Sequence, residues 1–188
     1  STGLSTVADL IAGLFASWSI IAELVQRCTT GQGATLDIAM YDALFSMLTT
    51  SHALHFYAGQ APQRVGNRHP LSTPFGCFAT RDGQVVIAVL SGRQFAALAT
   101  LIGTPEAAED PRFASDEART AHEPAVKGLI EAWSSDLTTD EAVAALTGAG
   151  IPTAPIWDIA KAAGNEHSHA RGLVRQLPHA TLGAAPTV

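Results

Sequence analysis

The chain has 188 residues, of which 47% are hydrophobic, and a mean hydropathy of +0.18, so it is long enough to bury a core as one domain or slightly more. Its formal net charge is −6 without acidic or basic runs, which argues against nucleic acid or an anionic membrane as a partner because both require clustered Lys and Arg. Two cysteines, Cys28 and Cys77, show neither metal-ligand spacing nor a disulfide framework, so we expect a cytoplasmic protein with reduced thiols.

The first predicted element is a helix from Asp9 to Arg27, because apolar residues recur there every three or four positions. They cover more than one stripe of the helix, so we expect most of its sides to be buried. The apolar stretch Leu10–Val25 is too short for a bilayer and contains polar residues, so no membrane span is expected. Gly31 is predicted to end the helix in a left-handed conformation. The chain starts at STGLSTVAD without a methionine, and we expect it to be part of a longer protein.

The next segment, ATLDIAMYDALFSMLTTSHALHFYAG, begins with a strand-like alternation at Leu36 and Ile38 and is predicted to continue as a second long helix to about Tyr57. It is followed by QAPQRVGNRHPLSTPFG, which is rich in Pro, Gly and Asn. This composition predicts a long connection that serves as a domain boundary or an active-site loop.

The remaining sequence predicts a small unit of mixed helix and strand. FGCFATRDGQVVIAVL indicates two strands around the turn Asp82-Gly83. Helices are predicted at Arg93–Ile102, Ala118–Ser134 and Thr139–Gly148, the last with a cap at Thr138 or Thr139. AGIPTAPIWDI is predicted to be extended, and the tail from residue 163 to be a loop with one short strand in RGLVRQL. We therefore divide the chain into a helical part (1–58), a linker and loop (59–76), a small α+β domain (77–155) and an extended return (156–188).

Several of these segments resemble a known family in sequence and in order. They are TVADLIAGLFASWSIIAELVQRCTTGQGATLDIAMYDAL, GNRHPLSTPFGCFATRDGQVVIAV, RQFAALATLIG, EDPRFASDEART and GIPTAPIWDI. Together they resemble the class III CoA-transferases of the CaiB/BaiF type, a family that includes formyl-CoA transferase, carnitine CoA-transferase-like enzymes and α-methylacyl-CoA racemases. The match runs across nearly the whole chain.

The resemblance implies an α/β fold in which long helices of a Rossmann-like CoA-binding domain precede a small α+β domain. It implies that this chain is the second half of such a protein, and that two subunits interlock as a homodimer. The implied substrates are an acyl-CoA, which brings coenzyme A, and a carboxylic acid that accepts it.

Asp9 is the main candidate catalytic residue. From its spacing alone it is best interpreted as a helix N-cap, whereas the resemblance implies that it is the catalytic aspartate of the family. The two roles are compatible because a helix N-terminus favours an anion. A carboxylate also fits the chemistry, since it can form a mixed anhydride with an acyl group and then carry CoA as a thioester.

The resemblance implies further residues that contact the substrate. Met40 corresponds to a methionine, on a strand, that lines the site in formyl-CoA transferase-like members. The loop Asn67–Thr73 takes the position of a loop that covers the site. In it, Asn67, Arg68 and His69 are candidates to bind acyl or phosphate groups because Asn and Arg supply hydrogen-bond donors, although turn residues on the surface are an equal interpretation.

No metal site is predicted. The pairs His52/His55 and His167/His169 have conceivable metal spacing, but no cluster of Cys or carboxylate residues accompanies them. Asp37 and Asp42 flank Met40 and are better explained as a helix cap and a partner for a nearby cation.

Two other functions stay open at this point. In an α-methylacyl-CoA racemase, Asp9 would be one of two proton-transfer groups, but such racemases resemble this chain less because they carry a Glu after the IAV-like strand, and IAVLSGRQF has no carboxylate there. In a non-catalytic helical interaction module, Asp9 would only cap the helix.

Overall fold

The structure is a computed structural model that describes residues 6–181 and 183–187. Its contacts divide the chain into two units, one up to Arg64 and one from Val65 onward. The dividing point falls inside the connection rich in Pro and Gly, and each unit is described by itself below.

The first unit starts with helix α1, Val7–Thr30. Because the helix begins at Val7, with Thr6 at the N-cap position, Asp9 is its third residue and not its cap; the N-cap interpretation of Asp9 was wrong. The C-terminal prediction is confirmed: Gly31 is left-handed with φ 74°, and its N–H donates to the carbonyl of Arg27 at 2.8 Å.

The surface of α1 is not covered in this chain. None of its residues is buried, so the expectation that most sides are buried fails here, because residues 6–64, the described part of the unit, offer only two further short helices as cover. Large apolar side chains are exposed at Leu10, Leu14, Trp18, Ile20, Ile21, Leu24 and Val25.

At 24 residues, with a mean hydropathy of 1.6, α1 is also long and apolar enough to cross a membrane. The argument that its apolar stretch is too short for a bilayer was therefore wrong. Length and composition alone do not separate a membrane span from the core helix of a larger protein.

The second long helix predicted for this unit is wrong, because the structure has two short helices in its place. Helix α2 covers Met40–Ser46 and α3 covers Thr49–Phe56, and the break lies where no Gly or Pro signals it. Residues 32–39 have no regular structure, so the strand-like alternation there was misleading. An aromatic row links the two helices, with Phe45 and His52 ring centroids 4.3 Å apart.

The second unit is built on an antiparallel sheet in the order β1-β2-β3, with β1 at Phe75–Ala79, β2 at Gln84–Ala88 and β3 at Thr153–Pro155. The predicted hairpin is confirmed, with Phe75 opposite Ala88 and Ala79 opposite Gln84. Alternate residues of both strands are buried, as expected for a sheet with one face on a core.

Helices pack on that face. They are α4 (Gly92–Leu101), α5 (Asp116–Ala121), α6 (Glu123–Ser134) and α7 (Thr139–Gly148), with two short 3-10 helices at Pro105–Ala108 and Pro111–Phe113. The core that they share with the sheet contains Phe78, Val85, Ile87, Val89, Phe95, Leu98, Phe113, Val126, Ile130, Leu146 and Ile151. The single helix predicted for 118–134 is broken at His122, since Pro124, the second residue of α6, lacks the N–H that a continuous helix needs.

The turn of the hairpin is tied to the start of α7. Thr138 and Glu141 form a capping box, which confirms the predicted cap, and Asp82 accepts from the N–H of Thr139 at 2.7 Å and from its hydroxyl at 2.9 Å. These bonds hold the pKa of Asp82 below its ordinary value, and those from Thr138 lower the pKa of Glu141. Both carboxylates therefore stabilise the folded protein at any pH above their pKa values in the unfolded chain. This contribution is lost as the pH falls through their lower pKa values in the folded protein.

The tail is more regular than predicted. It contains α8 (Ile159–Gly164), α9 (Glu166–Arg171) and a two-stranded hairpin of β4 (Arg175–His179) and β5 (Gly183–Thr187). Side chains of Asp158 and Asn165 cap the two helices by accepting from the N–H of Lys161 and Ser168, a signal that the loop prediction overlooked.

We predict that Leu98→Ala lowers the free energy of unfolding by about 2–5 kcal/mol, because it leaves a cavity in the shared core. Leu98 is 0% exposed, whereas Leu90, at the end of the hairpin, is 66% exposed, so Leu90→Ala is the control and should change it by less than about 0.5 kcal/mol. Chemical denaturation of the full-length protein measures both. Equal effects of the two substitutions would contradict the assigned core.

Candidate functional site

The loop that carries three of the candidate residues is joined to strand β1. The N–H of His69 donates to the carbonyl of Phe75 at 2.7 Å, and the N–H of Cys77 donates to the carbonyl of Asn67 at 3.1 Å. Arg68 and Gly76 form an antiparallel bridge between these two bonds. The start of the loop is thus a short extra strand at the edge of the sheet.

Gly76 allows this close pairing. A Cβ atom at Gly76 would lie 2.8 Å from the carbonyl oxygen of Asn67 and 3.0 Å from Cα of Arg68. Real Cβ atoms do not approach backbone so closely, so the absence of a side chain lets the loop reach β1.

The side chain of His69 contacts only nearby residues of the loop and of β1 in the interactions that follow. Its ring stacks on Phe75 with centroids 5.0 Å apart and planes 12° apart, and its Nδ1 accepts from the N–H of Leu71 at 3.2 Å. In the neutral ring this hydrogen bond places the proton on Nε2.

Beside the extra strand lies a cavity of about 260 Å³. Asn67 and Arg68 line it, whereas His69 does not, so the structure brings two of the three loop candidates together in one cavity. Glu123 and Lys127 of α6 line the same cavity, which therefore carries two cationic side chains and one carboxylate.

Sequence reasoning missed the cavity residues of α6 and Cys77 of β1. Glu123 and Lys127 lie at least 50 residues along the chain from the loop, and on a helix they look like ordinary surface charges. Lys127 does make an i,i+4 ion pair with Glu131, with a distance of 3.9 Å from Nζ to Oε1. Only the packing of α6 against β1 places Lys127 beside Arg68.

Asp9 and Met40, the other two candidates, belong to the first unit. Asp9 is exposed in the first turn of α1. Met40 is the first residue of α2 and not part of a strand, and it is exposed.

Asp37 and Asp42 line a small cavity of about 140 Å³ together with Phe15 of α1. The N-cap position of α2 is Ala39, with no side-chain cap. The cap interpretation of the two aspartates was therefore wrong.

In the part of the chain that the structure describes, no three metal-ligand side chains of the Cys, His, Asp or Glu type form a group. His52 lies between the rings of Phe45 and Phe56, and His167 and His169 are on the short helix α9. These positions are those of packing and surface residues.

The sequence of the chain is similar to those of known CoA-transferases over most of its length. The sequence model of CoA-transferase family III matches residues 3–188. The chain is 36% identical over 174 residues to an acetyl-CoA:oxalate CoA-transferase of Acetobacter aceti, covering 92% of this chain and 44% of that protein. It is 30% identical over 179 residues to a succinyl-CoA–D-citramalate CoA-transferase of Chloroflexus aurantiacus, covering 95% of this chain and 44% of that protein. The chain thus spans less than half the length of these relatives.

The fold is similar to that of a solved structure as well. A CAIB/BAIF family protein from Brucella suis superposes with a TM-score of 0.77 at 29% identity, covering 95% of this chain and 50% of that one. The mixture of long helix, small sheets and short helices is therefore a fold that this group of proteins shares.

We predict that Gly76→Ala destabilises the protein by about 1–3 kcal/mol, because the new methyl group overlaps the backbone of Asn67 and Arg68. The control is Gly128, an exposed glycine of α6 where a methyl group would meet no neighbouring atom within 4 Å, and Gly128→Ala should stabilise by about 0.5–1 kcal/mol. Urea denaturation of the full-length protein separates the two. A neutral Gly76→Ala would show that the loop does not need this close contact.

Proposed function

The chain belongs to CoA-transferase family III, and we propose that the full protein transfers CoA from an acyl-CoA to a carboxylic acid through a covalent intermediate on Asp9. The observation that carries the proposal is the match to the family over residues 3–188, which includes the helix that bears Asp9. We propose the cytoplasm as the place of this reaction.

A carboxylate can carry every step by exchanging one acyl bond for another. The Asp9 carboxylate attacks the thioester carbonyl, so that a mixed anhydride forms and the CoA thiolate leaves. The thiolate then attacks the aspartyl carbonyl, which gives an aspartyl-CoA thioester and releases the first acid. The second acid repeats the two steps in reverse, and the aspartate is regenerated.

The position of Asp9 supports its role as the attacking anion. Asp9 lies in the first turn of a helix, where the N–H groups that have no partner within the helix favour a negative charge. Among the residues that the structure describes, no Lys, Arg or His nitrogen lies within 4 Å of the Asp9 carboxylate. None of these cations therefore competes with a substrate for the oxygens of Asp9.

We propose a dicarboxylic acid as one of the two acids. The names of the two relatives contain oxalate and citramalate, and both are dicarboxylic acids. In the second unit, Asn67, Arg68 and Lys127 provide hydrogen-bond donors around a cavity that suits an anionic group of a substrate, either a carboxylate or a phosphate of CoA. His69 would support this group of residues through its stack on Phe75.

We further propose that α1 is covered by the rest of the full protein in an interlocked homodimer. Several large apolar side chains of α1 are exposed in this chain, and leaving them in water costs about 25 cal/mol per Å² of apolar surface. In addition, Oε2 of Glu23 is shielded from solvent but has no hydrogen-bond partner among the described residues. Both features are typical of a helix whose partner surface lies elsewhere.

Neither alternative function gains support. At the position where a racemase would carry its glutamate, Ser91 caps α4 and the Gln94 side chain accepts from the N–H of Leu90 at 2.9 Å. Residues 90–93 contain no carboxylate. The non-catalytic module draws on no observation beyond the exposed face of α1.

We predict that Asp9→Asn abolishes CoA transfer in the full-length protein and leaves the thermal unfolding midpoint nearly unchanged, because it removes a nucleophile but little packing. Asp140→Asn, an exposed acidic residue in the first turn of α7, is the control and should retain activity. With wild type, mass spectrometry after incubation with acetyl-CoA or succinyl-CoA should detect a hydroxylamine-sensitive adduct on Asp9. Turnover by a folded Asp9→Asn protein would contradict the covalent route.

We predict that Trp18→Ala destabilises the full-length protein by about 3–5 kcal/mol, the cost of truncating a buried aromatic residue, although Trp18 is 64% exposed in this chain. Gln26→Ala on the same helix should change the stability by less than about 0.5 kcal/mol. Denaturation measures both, and light scattering gives the number of subunits. A neutral Trp18→Ala in a monomeric protein would refute the proposed cover.

A further inference from the structure

Arg119 of α5 is a buried charge that neither the core nor the proposed reaction explains. It is 2% exposed, and the other buried polar residues that the structure describes are uncharged Ser and Thr. Burying a charged group raises the free energy of the folded state unless the group is paired and hydrogen-bonded. The hydrogen-bond partners of Arg119 therefore indicate its role.

Those partners are mostly backbone carbonyls. Nε donates to the carbonyl of Thr73 at 2.7 Å, and Nη1 donates to the carbonyl of Phe113 at 3.1 Å. Nη2 pairs with Oδ1 of Asp116 at 3.3 Å, and the guanidinium carbon lies 4.8 Å from the centroid of the Phe95 ring. Each of the three guanidinium nitrogens therefore donates a hydrogen bond, and the group lies over an aromatic ring, a geometry that Lys cannot reproduce.

The contacts converge on one residue of the loop. Oδ1 of Asp116 also accepts from the N–H of Thr73 at 2.9 Å, and the hydroxyl of Thr120 donates to the hydroxyl of Thr73 at 3.2 Å. The amide, carbonyl and side chain of Thr73 are thus all held by α5. Thr73 is the last residue of the loop whose first residues, Asn67 and Arg68, line the cavity.

We propose that Arg119 is a positioning residue of the transferase: it holds Thr73, and through it the loop Asn67–Thr73, in the conformation that presents Asn67 and Arg68 to an anionic group of the substrate. The proposal rests on the proposed function of the cavity. The loop is fixed at its start by pairing with β1 and at its end by Arg119, and between these two points Leu71 is exposed.

A core role alone would not require these contacts. An apolar side chain of similar volume would also fill the core, because replacing a whole buried ion pair by well-packed apolar residues is often neutral or stabilising. Two of the three polar contacts of Arg119 are to carbonyls outside its own helix, and the shorter one goes to the loop. An arginine that only filled the core would not need to reach Thr73.

The chain offers a direct readout and a matched control. Trypsin cleaves after Arg68, inside the loop, and after Arg93, in helix α4. Faster cleavage after Arg68 alone reports release of the loop, whereas faster cleavage after both reports global unfolding. Arg112, whose side chain is 58% exposed, pairs with Asp110 and lies over Phe113. Arg112→Lys therefore changes a neighbouring arginine that makes no contact with the loop.

The experiment compares Arg119→Lys, Arg119→Met and Arg112→Lys in the full-length protein by limited trypsin digestion and by CoA-transfer kinetics. We expect Arg119→Lys to speed cleavage after Arg68 about tenfold relative to Arg93, because opening of the loop no longer breaks the bonds of the fork. We expect it to raise KM for at least one substrate about tenfold with little change in kcat, the signature of lost uniform binding. Arg112→Lys should match wild type in both assays.

Thr120→Val keeps the test decisive if both Arg119 variants fail to fold. It removes one of the contacts to Thr73 and leaves Arg119 in place, and it should shift the same two readouts in the same direction by about two- to fivefold.

If the folded variants are cleaved after Arg68 at the wild-type rate, the claim that Arg119 holds the loop is refuted. Faster cleavage with unchanged KM, in a protein whose wild type is active, would overturn the positioning role alone. A wild type without CoA transfer would overturn the proposed function, and the positioning role with it.

Discussion

Strand β1 is hydrogen-bonded along both edges, and these bonds position the loop, the hairpin and helix α6 of the second unit. One edge carries the hairpin with β2. On the other edge, Asn67 and His69 pair with the first half of the strand. Glu131 accepts from the N–H of Ala79 at 3.0 Å, and Ser134 donates to its carbonyl at 2.6 Å. An open edge would expose unpaired N–H and C=O groups, and closing it brings the loop and helix α6 to opposite ends of one strand.

The candidate cavity follows from this arrangement. The loop and α6 both approach the same edge, so the space between them is lined by Arg68 on one side and by Glu123 and Lys127 on the other. The buried guanidinium of Arg119 acts at the far end of the loop, through Thr73. Hydrogen bonds to the backbone of β1 and of Thr73, from the loop backbone and from the side chains of α5 and α6, therefore determine where the cavity side chains lie.

The first unit is governed by a different constraint. Its long helix exposes large apolar side chains, and residues 6–64, the described part of this unit, supply only two short helices beside it. Leaving apolar surface in water is unfavourable, and this cost is the physical basis of the proposal that other parts of the full protein cover α1. Asp9 sits at the start of the same helix, so the residue proposed to react is carried by the element that most needs a partner.

The sequence alone determined the elements whose signals are local. The turn residues Asp82-Gly83 between two strand-like runs predicted the hairpin, the cap at Thr138 or Thr139 predicted the start of α7, and Gly31 predicted the end of α1. The family and the candidate Asp9 were also accessible, because motifs in order along the chain identify a family without any contact between them.

Tertiary structure decided what depends on distant neighbours. The break between α2 and α3 has no Gly or Pro to mark it, and the contacts of α5 with Thr73 join segments more than 40 residues apart. Arg119 lies 46 residues along the chain from its acceptor, and nothing in the local pattern of DEARTA separates it from a surface arginine. Burial and pairing are properties of a packed core, so the residue that holds the loop and the lysine that faces it could be found only once the strand and the helices had been placed together.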